Sequence, residues 1–136
     1  MVEKKEIKAI KKKKKKVIRR LLKGKGRAYI TSSYNNTIVS IADQNGNIIA
    51  QSSAGRCGFK SAKKATPYAA GIVVRTVVEK AKNDGVREVD VFVKGIGPAR
   101  ESAVRALAAN GIQIAGIKDI TPVPHNGCRT KKPRRV

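Results

Sequence analysis

A strand, a glycine-rich turn and a helix follow one another between residues 89 and 107, and this run constrains the fold more than any other. Val89, Val91 and Val93 alternate with polar or aromatic residues, which is typical of a strand packed on at least one face. Glycine and proline then dominate the segment Lys94-Gly95-Ile96-Gly97-Pro98, which favours a turn into a helix. Two interpretations stay open: the glycines tighten the corner between strand and helix, or N–H groups at the helix start hold a phosphate.

The charge of the chain restricts the kind of partner. The 136 residues carry a formal net charge of +22, from 31 lysines and arginines against 9 acidic residues. This excess repels itself unless a polyanion neutralises it, so nucleic acid is the first partner to consider and an anionic membrane surface the second. The apolar runs are shorter than a bilayer span and no signal-peptide core follows the basic N-terminus, so we expect neither membrane insertion nor export. The two cysteines are then expected to be reduced thiols in a cytosol-like compartment.

Three segments differ in composition. Residues 1–27 form a basic arm, which we expect to be flexible because like charges at helical spacing repel one another. Residues 28–120 form one globular α/β domain, and residues 121–136 form a basic tail whose prolines forbid a regular helix. In the domain, the order β-β-β-α-β-α-β predicts a mixed five-stranded sheet with helices packed on its faces, and Asn45-Gly46 predicts a hairpin between the second and third strands.

A basic loop at residues 54–65 leads into the first helix. It holds two glycines, Phe59 and four cations, with no acidic residue: Arg56, Lys60, Lys63 and Lys64. Thr66 and Pro67 are suited to the N-cap and the first position of the helix that follows. Cations beside the positive end of a helix are unfavourable unless an anion is present. We therefore predict a phosphate site, with a solvated loop as the alternative.

Two further segments carry groups that can contact a nucleic acid. The amides of Asn35 and Asn36 lie where the first two strands break, and they either reach an RNA backbone or base edge or only form the turn. The tail places one histidine and several cations in an extended segment. Because strand-to-helix loops lie at one edge of such a sheet, the glycine-rich turn and the basic loop are expected to share one anion-binding surface. With three tyrosines, two phenylalanines and no tryptophan, phosphate and sugar contacts should outweigh base stacking.

Five segments in order resemble the family of small ribosomal subunit protein eleven. They are Tyr34-Asn35-Asn36-Thr37-Ile38-Val39, Gly58-Phe59-Lys60, Lys63-Lys64-Ala65-Thr66-Pro67-Tyr68-Ala69-Ala70, Lys94-Gly95-Ile96-Gly97-Pro98-Ala99-Arg100-Glu101-Ser102-Ala103 and Thr121-Pro122-Val123-Pro124-His125-Asn126-Gly127-Cys128-Arg129. The likeness covers about residues 28 to 136. The chain departs from the family at Ile96, where proline is common, at Ala99, where glycine is usual, and at Arg56, which adds a charge.

The resemblance implies a three-layer α/β/α core like that of ribonuclease H. It also implies a structural protein of the cytoplasmic, bacterial-type ribosome, bound to small-subunit ribosomal RNA in the platform beside the messenger exit site. Ribosomal proteins seven and eighteen and the messenger RNA would be neighbours, and the protein would support rRNA folding and messenger positioning. The predicted RNA-binding residues are Asn35, Asn36, Arg56, Phe59, Lys60, Lys63, Lys64, Lys94, Gly95, Gly97, Arg100, His125, Asn126, Arg129, Lys131, Lys132, Arg134 and Arg135.

Catalysis is not expected, and neither is a cofactor, a metal or a small-molecule substrate. A two-metal nuclease needs clustered carboxylates, whereas the acidic residues of the domain are scattered over turns, helix surfaces and strand ends. Cysteine catalysis or zinc binding would have to use Cys57, His125 and Cys128, without a paired Cys-x-x-Cys motif. A sequence-tolerant nucleic-acid chaperone or DNA-binding protein stays open as an alternative, because charge alone does not exclude it.

Overall fold

The computed structural model describes residues 24–133 and residue 135, and its elements follow the predicted order. They are β1 (Lys25–Ser32), β2 (Thr37–Ala42), β3 (Ile48–Ser53), a 3-10 helix (Ser61–Ala65), α1 (Pro67–Asn83), β4 (Glu88–Lys94), α2 (Arg100–Ala109) and β5 (Gln113–Asp119). Because β1 begins at Lys25, the end of the segment predicted as an arm belongs to the sheet. The remainder of that predicted arm, residues 1–23, lies outside the described residues.

The five strands form one mixed sheet in the spatial order β3-β2-β1-β4-β5, as predicted. Strand β2 runs antiparallel to both β1 and β3, whereas β4 runs parallel to β1 and β5 parallel to β4. At the centre of the sheet, Tyr29 of β1 lies opposite Ser40 on one side and Phe92 on the other. Strands β1, β3, β4 and β5 therefore all point in one direction.

Both helices lie on the same face of the sheet. Helix α1 packs on β2 and β3, α2 packs on β1, β4 and β5, and the two helices contact each other directly. The connections from β3 to β4 and from β4 to β5 move the same way across the sheet, so right-handed crossovers place both helices on one side. The described residues thus form two layers rather than the three that the resemblance implied. Likeness to ribonuclease H stays a prediction.

Alternate strand residues build the core beneath the helices. Ala28 and Ile30 of β1 are fully buried, as are Val39 and Ile41 of β2, and Val89, Val91 and Val93 of β4 are at most 4% exposed. The helices complete this core with a further group of buried small and branched residues: Ala69, Ala70, Val73, Val74, Val77, Val78, Ala81, Ala103 and Leu107. On the opposite face of the sheet Tyr29 and Phe92 stack with ring centroids 5.2 Å apart, and both are half-buried.

The predicted hairpin joins β2 to β3, and a carboxylate organises it. Asp43 is only 5% exposed, and its Oδ1 accepts the backbone N–H groups of Asn45 and Asn47, each at 2.9 Å. Its Oδ2 accepts the side-chain amide of Asn47 at 2.9 Å. These hydrogen bonds hold the pKa of Asp43 below its ordinary value, and the one from the Asn47 side chain has the largest effect. Burial acts in the opposite direction.

Replacing Asp43 by alanine is expected to lower the free energy of unfolding by about 2 kcal/mol, because the charge-assisted hydrogen bonds that the buried Asp43 carboxylate accepts are lost. The pKa of Asp43 is lower in the folded chain, so its stabilisation is present at neutral pH and disappears as the pH falls through that lowered pKa. Urea unfolding of the wild type and Asp43→Ala at pH 7 and near pH 3 measures this loss. A stability difference that stays constant over that range would contradict the assignment.

Candidate nucleic-acid interface

The strand directions bring four chain segments to one edge of the sheet. The carboxyl ends of β1, β3, β4 and β5 lie there, together with the N-termini of both helices. We call this region the loop edge; it consists of the turn 33–36, the loop 54–66, the turn 95–99 and the tail that begins at residue 120. The predicted convergence of the strand-to-helix loops is confirmed, because parallel strands place their carboxyl ends together.

Hydrogen bonds join these segments into one surface. The N–H of Gly97 donates to the carbonyl of Ser32 at 3.0 Å, which ties the glycine-rich turn to the end of β1. The N–H of Ala54 donates to the carbonyl of Thr37 at 3.0 Å, which ties the basic loop to the start of β2. The positions of the loops relative to one another are therefore set by backbone contacts.

The glycines of the turn after β4 are required by packing. Gly95 has a φ of +101°, and a Cβ there would lie 2.1 Å from the carbonyl oxygen of Ser32. A Cβ at Gly97 would lie 2.3 Å from Ser32 Oγ and 2.4 Å from the carbonyl oxygen of Ser33. The structure thus supports the interpretation that the glycines allow a tight corner, and phosphate binding by this turn stays a prediction. Helix α2 begins at Arg100, two residues after Pro98.

No side chain caps the start of α2. Ala99 occupies the N-cap position and makes no side-chain hydrogen bond there, so it offers no acceptor to the first-turn N–H groups. Helix α1 differs, because Thr66 Oγ1 accepts the N–H of Ala69 at 3.3 Å, as the sequence predicted. Of the two helix starts, that of α2 therefore leaves more backbone N–H groups available to an external anion.

The basic loop holds its cations at the surface. Arg56, Lys60 and Lys63 are exposed and Lys64 is half-buried. Two of these lysines occupy the last turn of the 3-10 helix, and the first turn of α1 contains no acidic residue. Among the residues that the structure describes, none of the four takes part in an ion pair. Their charge is therefore available to a phosphate.

Exposed aromatic rings flank these cations. Phe59 is half-buried and meets Tyr68 edge-on, with ring centroids 6.1 Å apart, and Tyr68 itself is 73% exposed. Tyr34, beside Asn35 in the first turn, is 69% exposed. Both tyrosines are missing from the predicted site. Tyr34 directly precedes Asn35, which was included, and Tyr68 lies just after the basic loop. Helix periodicity could have found Tyr68, since it falls outside the positions that α1 buries.

The two asparagines of the first turn differ in their contacts. Asn36 Oδ1 accepts the N–H of Thr37 at 2.9 Å, so this side chain supports the turn, as the alternative interpretation held. Asn35 is exposed, and the hydrogen bond that it makes uses its backbone N–H, which donates to Ser33 Oγ at 3.4 Å. Of the two amides, that of Asn35 is the one available to RNA.

Lys94 and Arg100 stand at the two ends of the glycine-rich turn, and within the part of the chain that the structure describes only Lys94 makes no side-chain hydrogen bond or ion pair. Lys94 is exposed at the last position of β4. The Arg100 guanidinium donates to the carbonyl of Gly95 at 2.6 Å and to Asp119 Oδ2 at 2.5 Å. Both cations are in the predicted RNA-binding set, and of the two Arg100 is engaged by partners within the domain.

The tail leaves the domain after Thr121. Its described residues beyond that point are exposed, and none of them makes a hydrogen bond or ion pair with the domain. They include the predicted RNA-binding residues His125, Asn126, Arg129, Lys131, Lys132 and Arg135, whereas Arg134 lies outside the described residues. Cys57 and Cys128 are both free thiols, and the described residues contain no group of three His, Cys, Asp or Glu side chains able to hold a metal ion.

In the described part of the chain, acidic side chains do not cancel the charge of the loop edge. The two acids nearest to it are already paired, Asp119 with Arg100 and Glu101 with Arg105. Other acids, such as Asp43, lie toward the opposite edge of the sheet. None of the described helices is long and apolar enough to cross a bilayer. The arrangement is suited to an extended polyanion that follows the loop edge.

Comparison with known proteins yields one family. The family described as ribosomal protein S11 matches residues 26–135. The match spans the sheet, both helices and nearly the whole tail, and every residue of the predicted RNA-binding set falls within it.

Proposed function

The chain belongs to the ribosomal protein S11 family of structural, rRNA-binding small-subunit proteins, and from this premise we propose that it binds small-subunit ribosomal RNA through the loop edge. One observation carries the proposal: the sheet topology gathers the unpaired cations of the basic loop, Lys94 and the basic tail at a single edge. Phosphate contacts dominate the affinity of proteins for nucleic acids, so this edge is where binding should be strongest.

The proposed mode of binding is positional rather than catalytic. Exposed cations contact phosphates, and the rings of Tyr34 and Tyr68 offer faces on which unpaired bases can stack. The rigid sheet fixes the spacing between these groups, so a folded RNA whose phosphates match that spacing is preferred over a regular duplex. This is how a small protein stabilises one arrangement of an RNA junction.

We propose a more specific place and role as well. By the resemblance of its motifs, the protein lies in the platform beside the messenger exit site, near ribosomal proteins seven and eighteen and the messenger RNA. It supports rRNA folding and messenger positioning there. The segment His125-Asn126-Gly127-Cys128-Arg129 supports a cytoplasmic ribosome of the bacterial type.

The affinity of the full chain for two RNAs of equal length at equal salt tests the proposal. We expect binding to a folded small-subunit junction to be tighter than binding to an unrelated duplex by at least about tenfold, which is the scale of a single specific base contact. Comparable affinity for the two RNAs would instead identify a sequence-tolerant nucleic-acid chaperone and overturn the ribosomal role.

A further inference from the structure

Four residues from three separate segments form a closed hydrogen-bonded ring at the loop edge. The N–H of Gly95 donates to Thr121 Oγ1 at 3.1 Å, and that hydroxyl donates to Asp119 Oδ1 at 2.6 Å. Asp119 Oδ2 accepts from the Arg100 guanidinium at 2.5 Å, and the same guanidinium donates to the carbonyl of Gly95 at 2.6 Å. The ring therefore holds both the N–H and the carbonyl of one residue in the glycine-rich turn.

The ring stands where the tail leaves the domain. The backbone N–H of Ile120 donates to the carbonyl of Val93 at 2.9 Å, which is the last sheet-like contact of the chain. Thr121 follows, with its N–H on Asp119 Oδ1 at 2.9 Å, and no described residue beyond it is hydrogen-bonded to the domain. The direction in which the tail departs is thus set at Thr121.

Arg100 and Asp119 are held by the ring as an ion pair. The Arg100 side chain is 33% exposed and is held on two sides, so two of its nitrogens are occupied by partners within the domain. Hydrogen bonds from the Thr121 side chain and backbone, and then from Arg100, hold the pKa of Asp119 well below its ordinary value, so the carboxylate is ionised at neutral pH. The neighbouring pair of Glu101 and Arg105 lies on the exposed surface of α2 and takes no part in the ring.

We infer that Arg100, Asp119 and Thr121 are positioning residues that fix the start of the basic tail against the glycine-rich turn, so that both meet the same RNA. This inference rests on the proposed function. It assigns Arg100 an indirect role, in place of the direct phosphate contact that its charge suggested. Preorganising a flexible segment increases affinity because less conformational freedom is lost on binding.

The substitutions Asp119→Asn and Thr121→Val test the inference in the full chain. Each keeps the side-chain shape and breaks the ring, and each is expected to weaken binding to the small-subunit RNA junction by about fivefold, the scale of ordering one flexible side chain on binding. The matched control is Glu101→Gln, which makes the same charge change and also releases one arginine of α2, but leaves the ring intact. Its affinity should equal that of the wild type or exceed it slightly.

A double-mutant cycle separates positioning of the tail from a general structural effect. In a full chain with Arg129, Lys131, Lys132 and Arg135 changed to glutamine, Asp119→Asn should have no further effect on RNA affinity. An equal loss in both backgrounds would overturn the inference, as would unchanged or tighter binding of Asp119→Asn in the wild-type background. If the wild type itself does not prefer the junction, the proposed function fails instead, and the two failures are therefore distinguishable.

Discussion

Replacing Gly95 by alanine is expected to destabilise the domain by at least about 3 kcal/mol, because a Cβ in a left-handed conformation is combined with a severe clash. The φ of Gly95 is +101°, and the new methyl group would lie 2.1 Å from the carbonyl oxygen of Ser32. That oxygen belongs to the backbone of a central strand, which cannot move without breaking its ladder. Chemical denaturation of the two proteins measures the change in the free energy of unfolding.

Gly58 provides the matched control for this substitution. Its φ is +93°, nearly that of Gly95, but nothing lies within 4 Å of the position that a Cβ would take. Gly58→Ala should therefore cost only about 1 kcal/mol, the strain of the backbone conformation alone. Equal effects at the two positions would show that contact with Ser32 has no energetic weight and would contradict the packing role of the turn.

Changing Lys60, Lys63 and Lys64 together to glutamine is expected to weaken RNA binding roughly a hundredfold at about 0.1 M salt. Each phosphate contact adds about 0.7–0.9 decades of affinity when the salt is lowered from about 1 to 0.1 M, and the variant loses three such contacts. The slope of log affinity against log salt should become shallower by about 2 to 3 for the same reason. The thermal midpoint should change little, since these lysines make no ion pair with any described residue and only Lys64 is half-buried. Filter binding over a salt series gives both quantities.

Lys80, Lys82 and Arg87 offer a control with the same loss of charge. All three are exposed at the opposite edge of the sheet, at the end of α1 and just before β4. Their replacement by glutamine changes the net charge by the same amount but should leave the salt slope almost unchanged, because cations at this edge contact no phosphate in the proposed mode of binding. If the two triple variants weaken binding equally, total charge rather than the loop edge determines affinity.

Local sequence signals predicted the elements because each depends on neighbours in the chain. The alternation of Val89, Val91 and Val93 gave β4, the Thr66-Pro67 pair gave the start of α1, and Asn45-Gly46 gave the hairpin. The sheet edge at which the loops meet followed from strand order and direction. These rules involve only steric preferences of short segments and the handedness of crossovers.

The third layer that the resemblance implied is missing from the described residues, and the same alternation explains why. Sheets covered on both faces have strands that are apolar throughout, whereas β4 places Asp90 and Lys94 on the face away from the helices. Phe92, between them, is stabilised by stacking on Tyr29 rather than by a helix. A strand pattern with one polar face therefore indicates a sheet covered on one face only. The expectation of three layers came from the family resemblance and not from this pattern.

The contacts of the site could not be predicted from the sequence because they join distant segments. The clash that requires glycine at position 95 comes from Ser32, and the partner that occupies Arg100 is Asp119. Neither pairing is visible in a local pattern, and Arg100, a cation beside a glycine-rich turn, is for that reason predicted from the sequence to bind phosphate. In the structure Lys94 is exposed while Arg100 is held within the fold.

The central claim is that RNA lies along the loop edge, and the reactivity of individual lysines tests it most directly. The full chain, free and bound to the small-subunit RNA junction, is treated with an amine-acetylating reagent, and modified positions are quantified by mass spectrometry. Lys60, Lys63 and Lys94 should lose reactivity on binding while Lys80 and Lys82 keep theirs. Equal protection of the two edges, or protection of Lys80 and Lys82 alone, would contradict this account.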